Sequence, residues 1–339
     1  MNIRPCAFAL LLLLLLLLLL AWVVCGGWTI SVAAQPPLRL AGPPVREAIP
    51  LVLMHTLPPH VPGREGAVFT PWNSPEQLRA LIAKGKVDVA LMTVASAAAL
   101  HNKGVHCTVV AVFSGPAWIV STNQEFSSVD MLNGEEILLP FGPGEMPEVV
   151  LRILMKKHGL SFMPRHVGSA LEAVGMLRSG RAKHAFLVEP AAGKAMSALG
   201  IQIDTSGIPV LGCLDIRALW AETFPQSPCM PLGALTVFGS LADSQEALTA
   251  IRTSYVEGVS HAREHPRMAL ETTGDVFPVL GRSLEGMNVE RVCDIRIMDS
   301  DHAAMMATFF LTRLLEVSPA SVGGRMPGED FLRLSDARH

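Results

Sequence analysis

The chain writes one passage twice. Leu81 to Ala97 reads LIAKGKVDVALMTVASA, and Leu177 to Ala192 reads LRSGRAKHAFLVEPAA. Gly85 and Gly180, ninety-five residues apart, align the two copies. Each then runs through a helix end, a glycine, a basic residue (Lys86, Arg181), a short apolar strand, a turn and an alanine-rich helix start. One such unit is an ordinary helix–strand–helix element. Two of them, in a chain without a short repeat period, predict two similar α/β lobes. Two lobes enclose a cleft, and small molecules bind in clefts of that kind. The pattern points to a binder or a two-domain enzyme rather than a scaffold.

Residues 1–34 read as a secretory signal peptide. Arg4 supplies the positive start, Leu10 to Leu20 the apolar stretch, and Val32-Ala33-Ala34 a small-residue cleavage site before Gln35. Two alternatives stand beside it. The uncharged run from Cys6 to Val24 is long enough to act as a membrane anchor. Cys25, before Gly26 and Gly27, is a lipidation candidate, although Trp22-Val23-Val24 lacks the small residue expected there. Each reading places the folded part outside the cytoplasmic membrane, periplasmic or exported. Without Arg4 the chain has 26 basic and 30 acidic residues, a net charge of −4. That balance, no long basic run and a single tyrosine argue against nucleic acid as a partner. Four cysteines follow the leader, Cys107, Cys213, Cys229 and Cys293, and three pairings are open to them. Cys213 and Cys229 are the nearest pair, and an exported protein permits a bridge.

Strands and helices alternate from Leu38 onward, the mark of a mostly parallel sheet covered by helices. Strands are expected at 38–41, 66–70, 87–92, 106–113, 117–121, 136–140, 184–188 and 233–239. A helix opens at Gly42-Pro43-Pro44 and runs to about His55, since proline suits a first helical turn. Ser74 caps the next helix with Gln77 three residues on. The stretch 204–231 is irregular, a long helix spans 244–264, and mostly helical chain continues to about Val317. The expected organisation is lobe one at 35–116, lobe two at 117–230, a return to lobe one with C-terminal helices at 231–322, and a loose polar tail at 323–339. Crossovers near Pro116 and Pro231 form a hinge.

At this point the residues resemble a known family, the periplasmic solute-binding proteins of ABC importers for nitrate, sulfonates, taurine and thiamine-pyrimidine precursors. The resemblance runs from about Leu38 to Glu271. It rests on Gly85-Lys86-Val87-Asp88-Val89-Ala90, on Ser128 to Ile137 (SVDMLNGEEI), on Ala185 to Pro190 (AFLVEP), and on Pro231-Leu232-Gly233 before a strand and a long helix. It implies a type II bilobal fold of two α/β lobes joined by two crossovers. It further implies reversible capture of a small organic solute by a monomer, delivery to an ABC permease in the membrane, no catalysis and no cofactor. Helix N-termini facing the cleft would supply donors to the solute. The chain departs from sulfonate and nitrate binders at Phe141 to Glu148 (FGPGEMPE), where two prolines lack N–H groups and two glutamates stand at a helix start. This favours a neutral, aromatic or cationic solute over a compact oxyanion.

The candidate ligand-binding residues follow from that layout. Gly42, Pro43 and Pro44 lie beyond the first strand, and Thr93 and Ser96 beyond a later one, where open parallel sheets bind ligands. Ser114, Gly115 and Trp118 mark the first crossover, and Trp118 offers a stacking face. Trp72 is placed to wall the cleft. Gly142 and Gly144 allow close backbone approach before the lobe-two helix. Glu189, at the end of the repeated strand, is the first charged candidate, as an acceptor for a ligand N–H. For each of these, ordinary packing or helix starting is the competing reading. The pairs His55/His60 and His101/His106 lack the helical spacing of metal ligands, and no metal is expected. No GxGxxG, P-loop, G-x-S-x-G or HExxH appears. Two further functions remain open: a membrane-anchored ligand-sensing module, and an enzyme of the pyrimidine-precursor synthase kind on the same bilobal fold.

Overall fold

The computed structural model describes residues 14–16, 35–203, 209–277, 292–298 and 300–334. Apart from the short helical piece Leu14 to Leu16, the leader lies outside the described residues. Among the described residues, no helix is long and apolar enough to cross a membrane.

The first elements are β1 (Leu38–Gly42), α1 (Ile49–Thr56), β2 (Ala67–Pro71), α2 (Pro75–Ala83), β3 (Val89–Thr93), α3 (Val94–Asn102) and β4 (Cys107–Phe113). After the first crossover come β5 (Ala117–Ser121), β6 (Glu136–Pro140), α4 (Met146–Lys157), β7 (Met163–Val167), α5 (Ala170–Arg178), β8 (His184–Val188), α6 (Ala191–Ala198), β9 (Cys213–Asp215) and α7 (Ile216–Thr223). The chain then returns through β10 (Gly233–Phe238), α8 (Gln245–Glu264), α9 (Pro266–Val276) and α10 (Ser300–Val317).

The two sheets have one topology written twice. Lobe one is ordered β2-β1-β3-β10-β4, and lobe two β7-β6-β8-β5-β9. The duplicated passages occupy the same place in each, supplying β3 and β8 and the start of the helix that follows. Gly85 (φ +61°) and Gly180 (φ +69°) end the preceding helices in the left-handed conformation. Each donates its N–H three residues back, to Ile82 O and Leu177 O. The next residues, Lys86 and Arg181, donate to Leu81 O and Met176 O. Any other L-residue at either glycine would cost about 1–2 kcal/mol.

Both sheets are mixed and, as expected, mostly parallel: in each, four strands run one way and a single strand runs against them. β10 is antiparallel to β3 and β4, and β5 is antiparallel to β8 and β9. The crossovers require it. The parallel strands end at the cleft, and the chain crosses there, so the strand it enters must run away from the cleft. The register records this: Ala117, the first residue of β5, faces Val188, the last of β8. Likewise Gly233 faces Thr93 and Phe113.

Side chains alternate between the two faces of each sheet. Val89 and Leu91 join the core under α1 and α8, while Ala90 and Met92 face α3 and α10. Trp118, Val120, Ala185 and Leu187 pack under α5 and α6. α10 packs on both α3 and α4 and so touches both lobes. An aromatic group secures it: Trp220 lies 5.3 Å from Phe310 and Phe224 lies 5.5 Å from Phe309, ring centre to ring centre.

Other local expectations shift. The first helix starts at Ile49 after a single 3-10 turn at Arg46–Ala48, with Pro50 rather than Pro43 or Pro44 in its first turn. The irregular stretch contains β9 and α7, the latter capped by Asp215. The edge strand β7 was not expected, because Pro164, Arg165 and His166 break its apolar pattern. The C-terminal segment is not loose through Leu334. Phe331 is fully buried, Arg333 N–H donates to Val109 O at 2.9 Å, and Leu332 bridges Val109. Residues 335–339 lie outside the described residues.

Candidate functional site

A cleft of about 640 Å³ opens between the lobes. That falls within the roughly 300–1,000 Å³ typical of small-molecule sites. Its floor is the crossover itself, Phe113, Gly115, Pro116, Leu232 and Gly233. Lobe one contributes Trp72, Met92, Thr93 and the Pro43–Val45 turn. Lobe two contributes Phe141, Met146, Phe186, Val188 and Glu189. Most of the wall is apolar, so a solute with an apolar body would lose water on entering.

Helix starts from both lobes converge on this space, because each follows a strand that ends at the cleft. Thr93 caps α3 through its side chain, accepting from Ser96 N–H at 3.1 Å, and its hydroxyl donates to Ser96 Oγ at 2.8 Å. Ser169 caps α5 from Glu172 N–H. At α4 the capping residue is Glu145, and its side chain makes no bond to its own helix. It reaches across the mouth instead, where Arg79 of α2 donates to it at 3.3 Å. Burial pushes the Glu145 carboxyl up, with Arg79 offsetting part of that push.

Glu148, the second acid of that helix start, points away from the ligand space. Its carboxylate accepts from Gly144 N–H at 2.8 Å and from Arg152 at 2.6 Å, and lies 3.0 Å from His166 Nε2. Burial alone would raise its pKa. The Gly144 N–H, Arg152 and His166 outweigh burial and hold it below the ordinary carboxylate value. The negative charge of Glu148 is therefore matched by Arg152 and that of Glu145 offset in part by Arg79, so the case against oxyanions rests more on the missing proline donors.

Of the residues singled out in the sequence, Pro43, Pro44, Trp72, Thr93, Ser96, Gly115, Gly144 and Glu189 line the cleft. Gly42, Ser114, Trp118 and Gly142 do not. Gly42 lies behind the wall, where a Cβ would meet the Phe69 ring at 3.2 Å. Trp118 is buried in the lobe-two core, because the two-residue period of β5 sends it there with Val120. Glu189 is buried at the start of α6 and accepts from Gly193 N–H at 3.0 Å. A Cβ at Gly115 would lie 2.8 Å from Glu47 Oε1, the end of a flexible side chain that would have to turn aside.

Residues missed in the sequence include Glu47, Arg79, Phe141, Phe186 and Lys194. Only Phe141 carried a local signal, as an aromatic directly before a Gly-Pro-Gly turn. The histidine pairs hold separate structural bonds, His55 Nδ1 to Ala67 O and His106 Nε2 to Asp243 among them. No metal-holding group of three or more ligands occurs among the described residues. Cys107, Cys213, Cys229 and Cys293 are all unbridged.

No family model matches the chain, and no curated protein matches it in sequence. Solved structures do match. An ABC transporter protein from Parabacteroides distasonis superposes with a TM-score of 0.67 at 17% identity, over 88% of this chain and 98% of that one. The alkanesulfonate-binding protein SsuA from Xanthomonas axonopodis pv. citri, bound to MOPS, gives 0.61 at 13% identity, over 90% and 100%. A Candida albicans gene product with the generic periplasmic binding protein fold gives 0.54 at 11% identity, over 90% and 98%. The chain has the periplasmic binding protein fold. In that fold the observed cleft lies between the lobes, at the carboxyl ends of the parallel strands, where open α/β sheets take their ligands.

Proposed function

We propose that this chain is the exported solute-binding component of an ABC importer. It captures a small organic solute with an apolar body in the interlobe cleft and hands it to a membrane permease, without catalysis. The observation that carries the reading is the cleft, about 640 Å³, walled by both lobes and floored by the crossovers. Pro43, Pro44, Trp72, Thr93, Ser96, Gly115, Gly144 and Glu189 are the proposed contacts. The solved structures that share the fold include ABC-importer binding components, which supports the reading.

The test is a thermal-shift screen of the domain beginning at Gln35, against sulfonates, nitrate, pyrimidines, amines, carboxylates and amides. A ligand at a hundredfold its Kd adds about 2.7 kcal/mol, an easily measured shift. One responding chemical class, recovered unchanged after incubation, is the expected result. Turnover of the compound would replace this reading with an enzyme, and silence across the panel would count against solute capture.

A further inference from the structure

One cleft residue is held where a large side chain is least comfortable. Phe141 has φ +75°, the sole non-glycine in the left-handed region among the described residues. For a bulky residue that is an outlier, whereas glycine adopts it freely. Glycines stand nearby at 142 and 144, yet position 141 is an aromatic.

The surroundings are built to hold it there. Phe141 N–H donates to Val167 O at 2.8 Å on the neighbouring edge strand. At the other end of the turn, Gly144 N–H is fixed by Glu148, only 5% exposed and itself gripped by Arg152 and His166. Strained residues persist only when their neighbours over-determine them, and they cluster at ligand clamps. Phe141 also lines the cleft. The Arg79–Glu145 bridge ties this turn to the middle of α2, the helix that follows Trp72 in the chain. Phe141 of lobe two and Trp72 of lobe one both line the same cavity.

We infer that Phe141 is a specificity-determining platform, and that the solute carries a flat aromatic or conjugated ring lying against it. The inference rests on the solute-capture reading and adds the shape of the ligand. A puckered ring of equal size fills the same volume but cannot present a face to an aromatic side chain. Aromatic pairs gain about 0.5–1.5 kcal/mol beyond area burial, a ratio of roughly two- to tenfold in affinity.

The experiment uses three matched pairs of probes: benzenesulfonate and cyclohexanesulfonate, benzamide and cyclohexanecarboxamide, benzylamine and cyclohexylmethylamine. Within each pair the head group is shared while the ring changes from flat and aromatic to saturated and puckered, so the comparison does not depend on the head group the site prefers. Calorimetry on the wild-type domain should show the flat member of the responding pair binding more tightly. F141L keeps the apolar volume and should reduce that ratio to about one. F141G removes ring and strain together, so it should melt at or above the wild-type temperature while losing the same preference. Equal affinity for flat and puckered probes in the wild type would overturn the inference and leave solute capture standing. So would a preference that survives F141L. Failure of all six probes to bind at millimolar concentration would overturn solute capture for these classes, and the platform with it.

Discussion

Replacing Glu148 by Gln tests whether a buried carboxylate supports the cleft wall. Its Oε2 takes Gly144 N–H at 2.8 Å and lies 3.0 Å from His166, while Oε1 takes Arg152 Nε at 2.7 Å. The amide has one oxygen for these two groups of donors. Turned towards Arg152, it leaves the Gly144 N–H facing another N–H; turned the other way, it sets its NH2 against a guanidinium. A buried donor without an acceptor costs about 1–3 kcal/mol. Arg152 is 47% exposed and regains water, so its share is discounted. The expected loss is about 2–3 kcal/mol, a fall in Tm of roughly 4–10 °C for lobes of this size. The pH dependence has a fixed sign. Because the folded-state pKa is depressed, the stabilisation is present above the unfolded carboxylate value of about 4.3 and is lost as pH falls through the lower, folded value. Melting curves of wild type and E148Q should therefore differ by a constant amount near neutrality and converge below about pH 4.3. A gap within about 1 °C at pH 7, or one that persists unchanged in acid, would refute the reasoning.

Three further outcomes are expected. Asp88 is buried between Arg39 (2.6 Å) and Arg64 (3.1 Å), which together outweigh burial and hold its pKa down. D88N should lower unfolding stability by about 2–3 kcal/mol in urea titrations, and an unchanged midpoint would show that these bonds add nothing net. Arg79 is 44% exposed, so a double-mutant cycle of R79A and E145A should give a coupling of at most about 1 kcal/mol that shrinks with salt. In the native domain, a thiol reagent should modify exposed Cys229 rapidly and the others slowly. Burial hides Cys107 and Cys293 and pushes the thiols of Cys107 and Cys213 up to about 12 and that of Cys293 to about 11. Two fast-reacting thiols would contradict the packing.

Much of the local structure was legible along the chain. Strands at 117–121, 136–140 and 184–188 fall where apolar runs and flanking turns place them. Ser74 caps its helix by accepting from the N–H of Gln77, three positions on, as that spacing predicts. The repeat announced two lobes because a helix end, a glycine and an apolar strand are short-range features, set by backbone sterics and by burial period. The same short range explains the misses. β7 is an edge strand whose Pro164 needs no donor on its open side, so its composition does not advertise it. β9 is only three residues long and follows the turn formers Gly207, Pro209 and Gly212, which hide so short a strand.

Direction and proximity were beyond reach of any local pattern. That β5 and β10 run against their neighbours follows from where the chain crosses between lobes, not from their composition. Trp118 looked like a hinge aromatic until the pleat of β5 turned it into the core. Arg79 meets Glu145 sixty-six positions away, and Phe141 shares a cavity with distant residues such as Trp72, Thr93, Phe186 and Leu232. A side chain's class of element is encoded by neighbours within a few residues. Which side chains share a cavity depends on how two sheets are set against each other, and only packing over the whole chain determines that.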